Sequence, residues 1–148
     1  MTSLPFIDEH SLEVAAPPSA VWMALGGMLA HESQLPARAF ATVLGTEPRT
    51  AQGDPLVAGS AIPGFRIREA VPGERLALAG RHRFSTYELV FELAARADGT
   101  RLSALSYARF PGLHGRAYRA LVIGTGGHRF AVSRMLRGIA HAAEAAAR

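Results

Sequence analysis

The sequence predicts an α+β protein in which a curved antiparallel sheet wraps around a long C-terminal helix. Three observations support this prediction. Several segments alternate apolar and polar residues, which is the pattern of a strand with one buried face. Gly, Pro and Asp cluster between those segments, as they do in tight turns. The last part of the chain changes to apolar residues at helical spacing, and 148 residues suit a single domain spanning 1–148.

The first strand is predicted from Phe6 to Val14. It ends before Pro17, because proline cannot continue the hydrogen-bonded ladder of a strand. A helix is predicted to begin at Ser19 and to run to about Leu29. Alternation assigns one set of first-strand side chains to the inner face of the sheet: Phe6, Asp8, His10, Leu12 and Val14.

Residues 31–59 have a weaker pattern. The segment from Pro36 to Leu44 is compatible with a short helix, and the segment from Thr46 to Thr50 with a strand. The segment from Ala51 to Gly59 is rich in Gly, Pro and Asp, and this composition predicts a loop.

Four further strands are predicted to complete the sheet. The Pro72–Gly73 pair predicts a turn between two of them, and we assign Ser85–Thr86 to a hairpin turn. The predicted strands are Phe65–Val71, Arg75–Phe84, Tyr87–Leu93 and Thr100–Phe110. Alternation places on their inner face Phe65, Ile67, Leu76, Leu78, His82, Phe84, Tyr87, Leu89, Phe91 and Leu93.

The Asp98–Gly99 pair predicts the tip of the last hairpin. The predicted partners across this hairpin are Leu93 with Ala104, Phe91 with Ser106, Leu89 with Ala108, Glu88 with Arg109, and Val90 with Tyr107. Ala104, Ser106 and Ala108 thus form a column of small inner side chains. Such a column either leaves a ligand cavity beneath the helix or lets the helix pack closer and fill the space. In the first case the predicted floor of the cavity consists of Leu89, Phe91, Ala104, Ser106 and Ala108, and its predicted roof consists of Leu121, Thr125, His128 and Val132.

The C-terminal helix is predicted from about Gly115 to Ala147. Phe130 points outward if this helix is regular, and the glycines at 124, 126 and 127 predict a kink or break in its middle. Four arginines are predicted to lie exposed on the outer side: Arg116, Arg119, Arg134 and Arg137. The apolar stripe that faces the sheet consists of Leu121, Val122, Thr125, Val132, Met135, Leu136, Ile139, Ala143 and Ala146.

Composition excludes several classes of function. The chain has no cysteine, so it has neither disulfides nor a thiolate nucleophile. No apolar run is long enough to span a bilayer, and the acidic N-terminus does not resemble a signal peptide, so we expect a cytoplasmic protein without a transmembrane segment. The formal net charge is +4, and every Lys or Arg position is an arginine. The arginines do not form clusters with aromatic residues, so we expect no specific nucleic-acid binding.

Histidine and tyrosine side chains are the candidates for chemistry. His128 lies near the middle of the helical stripe, while His82, His10 and Tyr87 point inward from strands. These histidines are either ligand contacts that can act as general acids or bases, or core residues whose nitrogens are satisfied internally. They lie on separate elements without metal-ligand spacing, so no metal and no cofactor is expected. The full set of candidate ligand-binding residues is His128, His82, Tyr87, Tyr118, His10, Phe91, Ser106 and Thr125.

The order of elements resembles the START-like superfamily, which includes polyketide cyclases and dehydrases and Bet v 1-type proteins. The resemblance rests on Pro-Pro-Ser-Ala-Val-Trp at 17–22, on Pro-Gly-Glu-Arg-Leu-Ala-Leu at 72–78, on Gly-Thr-Arg-Leu at 99–102 and on the terminal helix. The segment 110–118, with His128 and Met135, is similar to a bacterial branch of this superfamily. The resemblance implies a helix-grip fold over nearly the whole chain, although residues 31–59 match poorly, and it implies a hydrophobic ligand between sheet and helix.

Three hypotheses about function follow. The first is a carrier or sensor that binds a hydrophobic or amphipathic small molecule. The second is a cyclase, dehydratase or isomerase of polyketide-like or lipid-like substrates that uses His82 or His128 as its base; no nucleophile motif accompanies Ser85–Thr86. The third is a protein that binds polyanions through its arginine surface. Val90, Leu105 and Tyr107 on the outer sheet face indicate a possible homodimer contact, or simply exposed apolar surface.

Overall fold

A computed structural model of the chain describes residues 3–31, 44–48 and 50–148. Its strands are β1 (Phe6–Val14), β2 (Ala61–Ile62), β3 (Phe65–Val71), β4 (Arg75–His82), β5 (Ser85–Arg96) and β6 (Gly99–Arg109). Its helices are α1 (Pro18–His31), α2 (Gly112–Arg119) and α3 (Gly127–Ala146), and a π-helical turn, Ala120–Gly124, lies between the last two.

The strands form one antiparallel sheet in the order β1-β6-β5-β4-β3-β2, and helices α1 and α3 pack against each other and against the sheet. The prediction of an α+β helix-grip fold is therefore confirmed. The long strands bury their large apolar residues mainly on one face, as alternation requires, and the middle of the sheet also buries Ala77, Val90 and Ser103 on the other face. The buried cluster between sheet and helices includes Trp22 and Leu25 of α1, Phe91 of β5, and Leu136 and Ile139 of α3.

The register of the β5–β6 hairpin differs from the predicted one by two residues. Arg96 pairs with Gly99, so the turn consists of residues 97 and 98. Gly99 packs so closely on β1 that a Cβ atom there would lie 2.0 Å from the carbonyl oxygen of Val14, and this contact places Gly99 in the strand. The observed pairs are Phe91 with Ala104, Leu89 with Ser106, Tyr87 with Ala108, Glu88 with Tyr107, Val90 with Leu105, and Leu93 with Leu102.

The predicted pairing of Glu88 with Arg109 is therefore wrong. Glu88 instead forms an ion pair with Arg68, in which Arg68 Nη1 lies 3.3 Å from Glu88 Oε1. Arg109 pairs across the hairpin with Thr86. A shift of two residues keeps every side chain on its predicted face, because strand side chains alternate with a period of two.

A β-bulge near the start of β1 changes the side of Phe6. The pairing with β6 shifts between Phe6 and Asp8, so Phe6 lies outside, with 57% of its surface exposed and its ring edge on Tyr107. Ile7 then turns inward. The inward assignment of Phe6 is wrong because one irregular residue reverses alternation before that point.

The turn of the β4–β5 hairpin lies two residues earlier than predicted. Strand β4 ends at His82 and β5 begins at Ser85, so the turn consists of Arg83 and Phe84. Phe84 is therefore not an inner strand residue, and Ser85 is a buried strand residue instead of a turn residue. The two turn residues include no Gly, Asn, Asp or Pro, so the sequence lacks the usual signal for a turn there.

The C-terminal helical region is broken, as the glycines predict. Gly126 has a left-handed backbone conformation, with φ of 80°, and separates the π-helical turn from α3. The apolar stripe is correct from Val132 to Ala143, where its members are buried or partly buried. It is wrong at Leu121 and Thr125, both exposed, because helical spacing does not continue through the break, and Ala146 is also exposed at the frayed end.

The exposure of Arg116, Arg119, Arg134 and Arg137 is confirmed, as is the outward position of Phe130. Residues 46–50 form no strand among the described positions, although Glu47 makes a bridge to Arg81. The loop predicted from Ala51 to Gly59 is present, apart from a bridge at Gln52. The predicted helix from Pro36 to Leu44 lies almost entirely outside the described residues.

Candidate functional site

A cavity of about 510 Å³ lies between the sheet and the helical region that follows β6. Its size falls within the usual range of small-ligand pockets. Most of its lining side chains are apolar or aromatic, with a few polar groups at opposite sides. The apolar and aromatic lining includes Ile7, Leu29, Leu44, Ile62, Phe65, Leu78, Leu89, Ala108, Phe110, Val122, Ile123 and Met135.

Aromatic rings surround His82 at one side of the cavity. The rings of His82 and Tyr118 are arranged edge to face, with centroids 4.7 Å apart, and the ring centroids of Tyr87 and Phe84 lie 5.5 Å and 6.0 Å from that of His82. Phe84 stacks on Tyr118 at 5.3 Å. We call the rings of His82, Phe84, Tyr87 and Tyr118 the aromatic cluster. Its rings come from the β4–β5 hairpin and from α2, so the cluster ties α2 to the end of the sheet.

Both ring nitrogens of His82 already have partners. The backbone amide of Phe84 donates to Nδ1 at 3.1 Å, so the neutral ring carries its proton on Nε2. That Nε2 lies 3.1 Å from Ser85 Oγ. Burial lowers the pKa of His82 below its usual value, and the amide aimed at Nδ1 acts in the same direction because a protonated Nδ1 would oppose it.

The two tyrosines of the aromatic cluster are held as neutral phenols. Tyr87 donates its hydroxyl proton to the carbonyl oxygen of Gly64 at 2.6 Å. Burial, followed by the influence of Tyr118, raises the pKa of Tyr87 far above its ordinary value, and burial also raises that of Tyr118. Neither group ionises near neutral pH, so this side of the cavity offers neutral hydrogen-bonding groups and ring faces.

His128 provides the polar group on the α3 side. Its Nε2 shares a hydrogen bond of 3.0 Å with the hydroxyl of Ser106. The same nitrogen lies 3.4 Å from Asp8 Oδ1, and the other carboxylate oxygen, Oδ2, lies 3.2 Å from His10 Nε2. Asp8 Oδ1 is buried and accepts no hydrogen bond from the described residues. Strands β1 and β6 are neighbours, which explains why Asp8 and Ser106 pair across them.

This arrangement is not a Ser-His-Asp triad. In a triad the carboxylate and the hydroxyl contact different nitrogens of the imidazole. Here Asp8 and Ser106 both approach Nε2 of His128. Because both partners contact one nitrogen, the arrangement suits hydrogen bonding with a ligand better than activation of Ser106 as a nucleophile.

The structure brings together five of the eight candidate residues, since His128, His82, Tyr87, Tyr118 and Ser106 all line the cavity. The other three do not line it. His10 lies behind His128, beside Asp8. Phe91 is fully buried in the core, and Thr125 is exposed at the helix break.

The cavity lies nearer the aromatic cluster than predicted. Of the predicted floor, Leu89, Ser106 and Ala108 line it, but Ala104 belongs to the packed core. Of the predicted roof, only His128 lines it; Leu121 and Thr125 are exposed, and Val132 is in the core. The cause is the break at Gly126, which displaces the residues before it from the line of α3.

Ser85 and Phe110 are among the contributors that the sequence interpretation missed. Ser85 lines the cavity and contacts His82, but it was assigned to a turn. A two-residue hairpin between His82 and Ser85 is the pattern that would have placed it inward. Phe110 also lines the cavity, and it ends the strand signal directly before Pro111.

The described residues contain no group of three or more His, Asp or Glu side chains that could hold a metal ion. Over the same residues, no helix combines the length and the apolar character that crossing a membrane requires.

Known structures share this fold. Protein CV1439 from Chromobacterium violaceum superposes with a TM-score of 0.60 at 18% identity, over 93% of this chain and 96% of that one. CalU16 from Micromonospora echinospora gives 0.51 at 19% identity, over 93% and 82%. The Aha1 dimer from Colwellia psychrerythraea gives 0.57 at 14% identity, over 92% and 94%. No protein-family model and no curated protein matches the chain. At these identities the likeness establishes the fold, and the cavity itself must indicate the function.

Proposed function

We propose that this protein binds a hydrophobic or amphipathic small molecule in the cavity between the sheet and the C-terminal helices, as a carrier or sensor. The observation that carries the proposal is the 510 Å³ cavity with a mostly apolar lining and a few inward polar groups. Protein interiors are normally close-packed, so a space of this size costs contacts that a purely structural core would keep. A ligand restores those contacts.

The polar groups indicate how such a ligand is oriented. On one side, the aromatic cluster and the neutral His82 favour an apolar or ring-containing part. On the other side, His128 and Ser106 can exchange hydrogen bonds with a hydroxyl or carbonyl. An amphipathic molecule with one oxygen-bearing end satisfies both sides. The resemblance to START-like proteins, and to their bacterial branch, supports the same proposal.

Filling the cavity tests this proposal directly. Ala108 lines the cavity on β6, opposite Tyr87 across the hairpin, and Ala108→Phe should fill part of the space. N-phenylnaphthylamine, a neutral fluorescent probe, avoids adsorption to the basic surface. We expect Ala108→Phe to weaken probe affinity by about tenfold or more, since roughly a phenyl ring of contact volume is lost.

Ala95→Phe is the matched control, because Ala95 is exposed near the far end of β5. It should leave probe affinity unchanged. Native mass spectrometry of freshly purified protein, aimed at a co-purified small molecule, gives an independent test. Equal probe affinity in the wild type and in folded Ala108→Phe protein would contradict the proposal.

A second candidate function is acid–base catalysis on a polyketide-like or lipid-like substrate. The specific observation in its favour is the carboxylate of Asp8 beside His128, since a carboxylate stabilises an imidazole that has taken up a proton. His82 suits a general base poorly, because the Phe84 amide occupies its Nδ1 and its Nε2 carries the proton. In this candidate His128 is the base, and Asp8 is a positioning residue.

Incubation of a co-purified compound with fresh protein tests the catalytic candidate. Mass spectrometry would follow loss of water or ring closure in the wild type and in His128→Ala. Loss of conversion with little loss of stability favours catalysis. A histidine with only a structural role behaves oppositely, because loss of its buried hydrogen bond costs about 1–3 kcal/mol while binding stays normal.

A further inference from the structure

The segment after β6 forms a wall with two different sides. Its inner side supplies Tyr118, Val122 and Ile123 to the cavity. Its outer side exposes large apolar side chains, with Leu113 at 81% and Leu121 at 67% exposure. Leu113 lies in α2 and Leu121 in the π-helical turn that follows it directly. The wall of the cavity therefore presents an apolar strip to the outside.

Helix α3 continues this outer surface past the break. Phe130 in its first turn is 63% exposed. Arg134 and Arg137 follow at four and seven positions, so they share its side of the helix, and both are exposed. We call the exposed residues Leu113, Arg116, Arg119, Leu121, Arg129, Phe130, Arg134 and Arg137 the basic cap.

The charge around this surface is one-sided. Residues 99–143 include seven arginines and neither Asp nor Glu, whereas eleven of the twelve acids of the chain precede residue 99 and the twelfth is Glu144. Five of those seven arginines belong to the basic cap. The exposed apolar residues thus lie among positive charges without acidic side chains from their own segment.

We propose that the basic cap docks onto the surface of a bilayer that contains anionic phospholipid. Leu113, Leu121 and Phe130 would insert between headgroups, while the arginines pair with phosphates. Charge favours this occupant over a second copy of the chain, because a symmetric contact would bring the same arginines face to face. Nucleic acid would use the arginines but gives no role to exposed leucines.

The docking surface is continuous with the cavity wall. The guanidinium of Arg119 lies 5.9 Å from the ring centre of Phe110, which lines the cavity. Docking would hold the outer side of this wall against lipid, a source of hydrophobic molecules. The docking proposal itself depends only on the exposed surface, so it stands or falls separately from ligand binding.

Vesicle flotation tests the proposal with the full chain. Vesicles of equal parts phosphatidylglycerol and phosphatidylcholine should carry the protein, and pure phosphatidylcholine should not. Leu121→Asp with Phe130→Asp should abolish flotation. The matched control, Met23→Asp with Val57→Asp, also replaces two exposed apolar residues by acids. This control variant should retain most of the flotation. Arg134→Ala with Arg137→Ala should lower the partition coefficient about thirtyfold.

Three outcomes would overturn the proposal. One is no binding to the anionic vesicles. Another is the behaviour of a general polyanion site. In that case Leu121→Asp with Phe130→Asp leaves salt-sensitive binding to heparin or random DNA unchanged, and only the arginine variant loses vesicle binding. The third is a dimer in solution that the same aspartate variant dissociates, which would assign the apolar strip to a second copy.

Discussion

Two regions of the β5–β6 hairpin, a packed end and a cavity end, contain the same kind of residue pair, but only one of them is close-packed. At the packed end, Phe91 pairs with Ala104, and both are fully buried in the core cluster beneath α3. At the cavity end, Leu89 pairs with Ser106 and Tyr87 with Ala108, and all four line the cavity. In both places a large inner residue lies beside a small one.

The helices decide which result a small residue produces. Over Ala104, Val132 and Leu136 of α3 pack into the space. Towards Ala108 the helix is not continuous, because the left-handed conformation at Gly126 separates the π-helical segment from the first residue of α3. A small side chain therefore leaves a cavity only where nothing above it moves in to fill the gap.

The largest expected effect comes from emptying the packed end. Phe91→Ala should lower the free energy of unfolding by about 3–5 kcal/mol, because a fully buried ring is lost and the close-packed surroundings relax only partly. Leu89→Ala should cost less than an average buried leucine, since Leu89 already borders empty space. Urea unfolding of both variants measures the difference. Equal losses would remove the distinction between the two ends.

Overfilling sharpens the same comparison. Ala104→Phe should destabilise the protein by about 1–3 kcal/mol, because the core there has no room for a ring. Ala108→Phe, next to the cavity, should lower the free energy of unfolding less than Ala104→Phe does, and it should weaken probe binding more. Comparison of urea midpoints and probe titrations for the pair decides the matter, and equal destabilisation of the two would argue against a cavity at Ala108.

The smallest effect concerns pH. Because burial lowers the pKa of His82, the unfolded chain takes up a proton below about pH 6.5 that the folded protein resists, so His82 reduces stability as the pH falls through this range. Above it both states are neutral and this contribution vanishes. His82→Gln should lose less stability than the wild type between about pH 7.5 and about pH 5.5. Identical urea midpoint shifts in the two proteins would show that His82 titrates normally.

Most of the fold was accessible from local patterns. Alternation placed Leu76, Leu78 and Phe91 inward correctly, because the side of a strand residue depends only on its parity. Helical spacing likewise identified Val132, Leu136 and Ile139, and the glycines correctly indicated the break. The same patterns assigned several cavity-lining residues, with His128 and Ser106 among them, to the inner surface.

Several of the errors depend on how segments pair with one another. Phe6 is outside because a bulge forms where β1 meets β6, and Ser85 is inside because a hairpin closes without a recognised turn signal. The hairpin register follows the close contact of Gly99 with Val14. None of these contacts leaves a periodic signal in its own segment.

The sequence by itself determined which face most strand residues occupy, where the last helix breaks and where the arginines are exposed, since these depend on neighbouring residues along the chain. Only the tertiary structure decided the register, the pairing of Asp8 with His128, and the position of the cavity. A cavity is the difference between the space that backbone elements enclose and the volume of the side chains that enter it. That difference exists only after the helices have taken their places on the sheet.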